Sequence, residues 1–212
     1  MVNYREAHSR SACNGFCLTA KSLAGANFRY QQDYPLDGTL VEDTGFPIDP
    51  ETIRWQKAAL EAIAWLRSQG VVFAVATNQS GVARAYFTLE QVHAFHAAMD
   101  ITIQAEDRRV DVYVICPHLI NGAEAEYVID CDCRKHKPEL INKLLEKFQV
   151  RPELAVMIGD RETDLLAGQT AGVEPFLYHG GDLFEFTKRA VSASFGLGVL
   201  DSAEVTSKAS RS

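Results

Sequence analysis

The sequence predicts an α/β fold in which a three-layer parallel sheet carries helices on both faces. Three observations lead to this prediction. Short apolar runs alternate along the chain with segments of helical period. Polar turns follow several of these runs, where the carboxyl ends of parallel strands would meet. The length of 212 residues suits one domain with a substantial hydrophobic core.

The first clear elements lie between residues 49 and 106. A helix is predicted from Asp49, which can act as N-cap, to Gly70, with Pro50 in its first turn. The run "VVFAVATNQSG" reads as a buried strand that ends in a polar turn. Thr88 and Gln91 have the spacing of a capping box, which predicts a second helix to about residue 106.

The second half of the chain continues the same alternation. "VDVYVI" is predicted to be a strand, and a long loop at 116–137 leads to Pro138, which opens a helix to about Gln149. "AVMIGD" is a strand with an acidic turn, "ETDLLAGQTAG" a helix and "VEPFLY" a short strand. Residues 182–192 are predicted to be helical. All of these elements belong to one predicted domain, residues 33–200. Residues 1–32 show no clear period and are predicted to be irregular, and residues 201–212 form a polar tail.

Composition and charge exclude several classes of partner. The net charge of −7 would repel nucleic acid and anionic membranes. No apolar run approaches the roughly 20 residues that span a bilayer, and the first thirty residues do not read as a secretory signal. We therefore expect a cytoplasmic protein, and we expect it to be a monomer. An anionic ligand would need a local cluster of positive groups.

The cysteines carry the most specific signal. Cys116 and His118 form one close pair, and Cys131 and Cys133 form a second. Four such ligands in two close pairs match a closed tetrahedral Zn²⁺ site, which would be structural because no position is left for water. The alternative is three unrelated thiols and a surface histidine.

Two polar turns at predicted strand ends are candidates for phosphate and metal binding. Thr77 and Asn78 could hold phosphate oxygens with a hydroxyl and backbone N–H groups, although polar strand-to-helix turns are common. Asp160 and Asp164 suit Mg²⁺, which prefers oxygen ligands. The alternative for this pair is an N-cap aspartate and a solvated helix charge.

A basic cluster directly follows the cysteines. Arg134, Lys135 and Lys137 lie within four residues in an otherwise acidic protein, so they could hold a substrate phosphate. A solvated run of charge is the alternative. The proposed zinc loop, 116–133, would aim Arg134 and Lys135.

The order of these motifs resembles the haloacid dehalogenase superfamily of phosphatases. The resemblance covers about residues 36 to 180 and rests on Asp-Gly-Thr at 37–39, Thr-Asn-Gln-Ser-Gly at 77–81, Cys-x-His at 116–118, Cys-x-Cys-Arg-Lys at 131–135 and Gly-Asp-x-x-x-Asp at 159–164. The zinc loop narrows it to the branch that contains D-glycero-D-manno-heptose 1,7-bisphosphate phosphatase and the histidinol-phosphatase domain. This resemblance implies a Rossmann-like sheet and a small phosphorylated metabolite as ligand.

The resemblance also implies a mechanism. In the family, an aspartate at the end of the first strand attacks phosphorus and forms an aspartyl-phosphate. A second aspartate, here Asp37, acts as general acid and then as general base. Lys135 would neutralise phosphoryl charge, and Asp160 would bind Mg²⁺ with Asp164 in support. The phosphate and substrate contacts that it implies are Thr77, Asn78, Arg134 and, for a second phosphate, Arg84, Lys137 or Arg161.

The nucleophile position departs from the family pattern. It is Pro35, which has no carboxylate, and it follows the polar run "NFRYQQDY" instead of an apolar strand. Asp33 is the nearest acid and a candidate substitute nucleophile, but two residues of strand place it about 6–7 Å back.

Four functions follow from these observations. The first is hydrolysis of a heptose bisphosphate, and the second is hydrolysis of histidinol phosphate, since both groups carry the zinc loop. The third is a catalytically impaired paralogue that binds a phosphorylated ligand, which Pro35 favours. A zinc-ribbon interaction module is the fourth, and the complete α/β pattern around the loop argues against it.

Overall fold

A computed structural model of the protein describes residues 17–21, 38–42, 48–104 and 109–195. Within these residues, five parallel strands form one sheet in the order β3-β2-β1-β4-β5. The strands are β1 (Cys17–Lys21), β2 (Val72–Asn78), β3 (Val112–Cys116), β4 (Ala155–Gly159) and β5 (Glu174–Leu177).

Six α-helices lie in the described part of the chain. They are α1 (Ala59–Ser68), α2 (Ser80–Ala83), α3 (Leu89–Ile103), α4 (Glu139–Phe148), α5 (Glu162–Thr170) and α6 (Leu183–Phe195). Short 3-10 turns occur at Pro50–Thr52, Ala125–Tyr127 and Pro152–Leu154. None of the helices in these ranges is both long and apolar enough to cross a membrane.

The two faces of the sheet bury two separate hydrophobic clusters. Successive strand side chains point to opposite faces, so Phe73 and Val75 of β2 pack in a cluster with residues of α1, α3 and α6. Ala74 and Ala76 face the other way and pack with residues of α4 and α5. Helices therefore cover both faces, which confirms the predicted three-layer fold.

The central strand lies where we predicted an irregular segment. Residues 17–21 form β1, which is parallel to β2 on one side and to β4 on the other. The run "CLTAK" has no extended β-branched pattern, and residues 22–36 separate it from Asp37. Five residues do not reveal a strand by periodicity, and only the two neighbouring strands define this one.

The first predicted helix begins later than expected. Asp49 caps only the short turn Pro50–Thr52, accepting a hydrogen bond from the Glu51 N–H. Residues 54–56 instead run antiparallel to residues 40–42, with a bridge between Val41 and Trp55. Ala58 then adopts a left-handed conformation (φ 60°) before α1 begins. Backbone pairing with a distant segment thus replaces the first turns of the predicted helix.

The remaining predicted elements are confirmed, with shifted ends. Thr88 and Gln91 form the expected capping box of α3, which ends at Ile103. The predicted strands "VDVYVI", "AVMIGD" and "VEPFLY" correspond to β3, β4 and β5, and the helices between and after them are α4, α5 and α6.

Candidate active site

The carboxyl ends of the central strands place the predicted turns at one edge of the sheet. Lys21 at the end of β1 is in register with Gly159 at the end of β4. On the other side, Asn78 at the end of β2 is in register with Cys116 at the end of β3. Ligands of parallel α/β sheets bind at this edge, so the structure assembles the candidate site where it was expected.

The turn after Asp37 reaches this edge. Thr39 is fully buried, and its hydroxyl donates to Oδ1 of Asp160 at 3.4 Å. The Gly38 carbonyl accepts a hydrogen bond of 2.9 Å from the Gln56 side chain. Asp37 itself lies outside the described residues, as do Asp33 and Pro35.

Gln56 was missed by the sequence analysis. The predicted helix from 49 to 70 made it an ordinary polar helix residue. Its backbone N–H donates to the Leu40 carbonyl, and its side chain donates to Gly38. These two bonds hold residues 38–40 in place, in addition to the bond from Thr39 to Asp160, and no local pattern in the sequence predicts them.

The turn after β2 is buried and internally bonded. The Thr77 hydroxyl oxygen accepts a hydrogen bond of 3.0 Å from the Gln79 side chain. Asn78 bonds through its side-chain amide to both backbone groups of Lys135, with Nδ2 to the carbonyl at 2.9 Å and Oδ1 from the N–H at 3.0 Å. Both predicted phosphate-binding residues are at the edge, and the Asn78 amide holds the predicted catalytic lysine.

Lys135 and Asp164 form a fully buried pair. Lys135 Nζ lies 3.3 Å from Asp164 Oδ1 and donates a hydrogen bond to the Ala76 carbonyl. Asp164 Oδ2 accepts from the Arg161 N–H at 3.3 Å. A Cβ on Gly159 would lie 2.4 Å from the Asp164 Cβ, so the glycine makes room for this carboxylate. Asp164 thus supports the lysine, and a direct role at Mg²⁺ stays a prediction.

Asp160 is the described carboxylate best placed to bind a divalent cation at this edge. It follows β4 directly, is half-buried and neighbours the Thr39 hydroxyl. Hard cations such as Mg²⁺ take oxygen ligands of this kind and keep several waters. Asp160 thus offers an oxygen ligand of the kind that Mg²⁺ prefers, and its role as the metal ligand stays a prediction.

Cys116, His118, Cys131 and Cys133 come together as predicted, with their ligand atoms all within 4.8 Å of one another. The Cys116 and Cys131 sulfurs are 3.4 Å apart, and the Cys131 and Cys133 sulfurs 3.2 Å. The His118 Nδ1 lies 3.3 Å from the Cys133 sulfur. Ligands of a tetrahedral Zn²⁺ site are spaced by about 3.5–3.8 Å, so small shifts would let this cluster hold the ion.

The other basic residues have different surroundings. Lys137 Nζ pairs with Asp130 at 3.0 Å and Asp132 at 3.2 Å, and these carboxylates raise the pKa of Lys137. Arg134 Nη1 donates to the His118 carbonyl at 3.3 Å, which ties it to the zinc loop. Arg84 is half-buried at the end of α2. The predicted contacts of all three with a substrate phosphate stay predictions.

Comparison with known proteins shows which family the chain belongs to. The family model of the haloacid dehalogenase-like hydrolases matches residues 46–172, which is more than half of the chain. The chain belongs to this family. The match confirms the family that the sequence resembles.

Relatives within the family are named for one activity. A D-glycero-beta-D-manno-heptose-1,7-bisphosphate 7-phosphatase of Pasteurella multocida is 33% identical over 138 residues, covering 65% of this chain and 74% of its own. The protein of the same name from Rhodopseudomonas palustris is 31% identical over 155 residues, covering 73% of this chain and 86% of its own.

Solved structures share the haloacid dehalogenase-like fold. The D,D-heptose 1,7-bisphosphate phosphatase of B. bronchiseptica, crystallised with magnesium and phosphate, superposes with a TM-score of 0.62 at 24% identity. It covers 84% of this chain and 86% of its own. A HAD-like protein of Mesorhizobium loti gives a TM-score of 0.70 at 23% identity, with the same coverage. At these identities the likeness concerns the fold.

Proposed function

We propose that this chain is a Mg²⁺-dependent phosphatase that acts on a phosphate monoester of a small sugar phosphate. D-glycero-D-manno-heptose 1,7-bisphosphate is the substrate that we favour. The observation that carries the proposal is the buried Lys135–Asp164 pair at the same strand edge as Asp160 and the Thr39 turn. The names of the relatives and the ligands of the B. bronchiseptica structure support the substrate class and the metal.

Each residue of the edge has a role in this proposal. Lys135 would hold a positive charge against the phosphoryl oxygens in a site shielded from water, where such charges act most strongly. Thr77 and the turn after it would orient those oxygens. Asp37, at the start of the fixed turn, would give a proton to the leaving oxygen. Mg²⁺ held by Asp160 would neutralise charge that develops in transfer.

The proposed reaction needs a nucleophile, and the position that supplies it in the family does not carry an aspartate here. Relatives with the pattern of the family have an aspartate at the end of the first strand, whereas β1 here ends at Lys21. The sequence has no Asp or Glu from residue 17 to residue 32, and position 35 is proline. Without covalent catalysis the uncatalysed hydrolysis of phosphate monoesters is extremely slow. Asp33 is the first acidic side chain after β1 and our candidate substitute.

These same observations favour a second candidate function. A paralogue without a nucleophile would keep Lys135, Asp160 and the zinc loop, and would bind a phosphorylated ligand without hydrolysing it. Both functions require binding of the phosphorylated ligand, but only the first includes its hydrolysis. Measuring binding and phosphate release together therefore distinguishes them.

The test is phosphate release by the purified chain with Mg²⁺ from a panel that includes the heptose bisphosphate and histidinol phosphate. We expect hydrolysis of the heptose bisphosphate that Asp37→Asn abolishes and that Glu146→Gln, a control at an exposed position of α4, leaves intact. Preference for histidinol phosphate would overturn the proposed substrate. Binding without turnover, with activity appearing in Pro35→Asp, would establish the impaired paralogue instead.

A further inference from the structure

Asn78 joins the end of β2 to Lys135 through its side chain. It is the last residue of β2, and only 6% of it is exposed. Its amide bonds to the N–H and the carbonyl of Lys135 at once, as residues of paired strands do. Two bonds to one residue fix both the position and the orientation of that residue's backbone, which one bond would not do.

The backbone around Asn78 holds the other end of the same loop. Asn78 is in register with Cys116, and the next N–H, of Gln79, donates to the Cys116 carbonyl at 2.7 Å. Cys116 begins the zinc loop, and Lys135 follows its last cysteine by two residues. Asn78 and its neighbour therefore hold both ends of the loop on the end of β2.

The Lys135 side chain extends from this point along β2 towards Ala76. Its ammonium reaches the Ala76 carbonyl and Asp164, and its side chain is wholly buried. A buried chain of this length has few alternative rotamers, so a shift of the Lys135 backbone would move the ammonium away from these partners. The position of the charge depends on where the backbone of Lys135 is held.

We infer that Asn78 is a positioning residue that sets the Lys135 ammonium by clamping the Lys135 backbone to the end of β2. This differs from the phosphate contact that the turn motif predicted. The Asn78 Oδ1 and one Nδ2 hydrogen are committed to Lys135, which leaves at most one donor for a ligand. The clamp itself is read from the structure, whereas its effect on phosphate rests on the proposed function.

The test replaces the clamp and follows the Lys135 amide. Asn78→Ser is too short to make both bonds, and Asn78→Asp keeps the size but turns an oxygen toward the Lys135 carbonyl. Asn142→Asp, at an exposed position of α4, is the matched control. Amide hydrogen exchange of the peptide containing Lys135 is measured by mass spectrometry, and inorganic phosphate binding with Mg²⁺ by calorimetry.

We expect exchange at the Lys135 amide to rise at least about tenfold in Asn78→Ser, with phosphate affinity falling by a similar factor; each factor of ten is about 1.4 kcal/mol. Asn78→Asp keeps an acceptor for the Lys135 N–H and loses only the bond to the Lys135 carbonyl, so we expect a smaller rise in exchange there, again with weaker phosphate binding. The control should match the unmodified chain in both. Zinc content and circular dichroism identify a variant that is not folded, and the other variant then decides.

Two results would overturn the inference. Unchanged exchange with weaker phosphate binding would make Asn78 a direct ligand contact. Faster exchange with unchanged phosphate affinity would make the clamp irrelevant to the lysine's role. If the unmodified chain does not bind phosphate, the proposed function fails, while the exchange comparison still decides whether the clamp exists.

Discussion

The Nζ of Lys135 lies 3.3 Å from Oδ1 of Asp164, and neither side chain is exposed to solvent. A charge removed from water is costly unless a partner compensates it. The Lys135 ammonium can be buried because Asp164 supplies its counter-charge. Gly159 is needed because any side chain at that position would occupy the space of Asp164. Lys135 and the segment from Gly159 to Asp164, which lie far apart in sequence, therefore form one arrangement.

Removing the charge of Asp164 should destabilise the protein. Asp164→Asn keeps the size of the side chain and leaves the buried ammonium without its counter-charge, so we expect a loss of about 3–5 kcal/mol in the free energy of unfolding. Denaturant unfolding measures it. Glu139→Gln breaks an exposed ion pair with Lys143 and should have little effect. Equal, small losses in both variants would contradict the buried-pair argument.

The cysteine cluster should hold one Zn²⁺ per chain. Cys133→Ser removes one of four ligands and should abolish stoichiometric zinc, and it should lower the melting temperature because the loop has no core of its own. Elemental analysis and thermal unfolding measure both. Cys13→Ser, outside the cluster and outside the described residues, should keep the zinc. Full zinc occupancy in Cys133→Ser would count against the site.

Burial of His96 should make the protein sensitive to acid. The ring is stacked on Tyr113, with centroids 4.2 Å apart, and neither ring nitrogen has a hydrogen-bond partner among the described residues. Burial first, and then the nearby His93, lower the pKa of His96 to about 4 from 6.5. The unfolded chain therefore binds a proton more readily than the folded protein, so stability is lost as pH falls from about 6.5 towards 4.

The variant His96→Phe tests this pH dependence, since it keeps an aromatic ring and removes the titrating group. Between pH 7 and pH 5 the unmodified chain should lose about 2 kcal/mol more unfolding free energy than the variant. His93→Gln, at an exposed position of the same helix, removes only the smaller of the two causes and should retain most of the pH dependence of the unmodified chain. Parallel stability curves for His96→Phe and the unmodified chain would show that His96 does not contribute.

Gln56 should affect catalysis through the turn that follows Asp37. Gln56→Leu removes the hydrogen bond to the Gly38 carbonyl and loosens that turn. We expect kcat to fall by about tenfold, since small misplacements of catalytic groups are costly, with KM less affected. Gln69→Leu, an exposed change of the same kind, is the control for steady-state kinetics. An unchanged kcat in Gln56→Leu would show that the hydrogen bond from Gln56 to Gly38 does not contribute to catalysis.

Local patterns were sufficient for much of the fold. The α3 capping box of Thr88 and Gln91 involves residues three apart, so their contact follows from helix geometry alone. The spacing of Cys116, His118, Cys131 and Cys133 predicted their meeting, because a metal accepts few arrangements of such ligands.

Other features depend on partners distant in sequence. The strand β1 is defined by its register with β2 and β4, and the delayed start of α1 by the pairing of residues 54–56 with 40–42. Lys137 is a further example. The basic cluster in the sequence predicts a phosphate contact for Lys137, but in the structure its ammonium forms ion pairs with Asp130 and Asp132.

The sequence by itself determined the family, most of the order of elements after β1, the Cys and His residues that meet in one cluster, and several of the residues at the edge of the sheet. Only the tertiary structure decided that Asn78 holds Lys135, that Asp164 pairs with it, and that Gln56 fixes the turn after Asp37. The physical reason is that motifs record which chemical groups are available. Hydrogen bonds and ion pairs between segments far apart in sequence are decided by packing, which brings one available partner within reach and excludes the others.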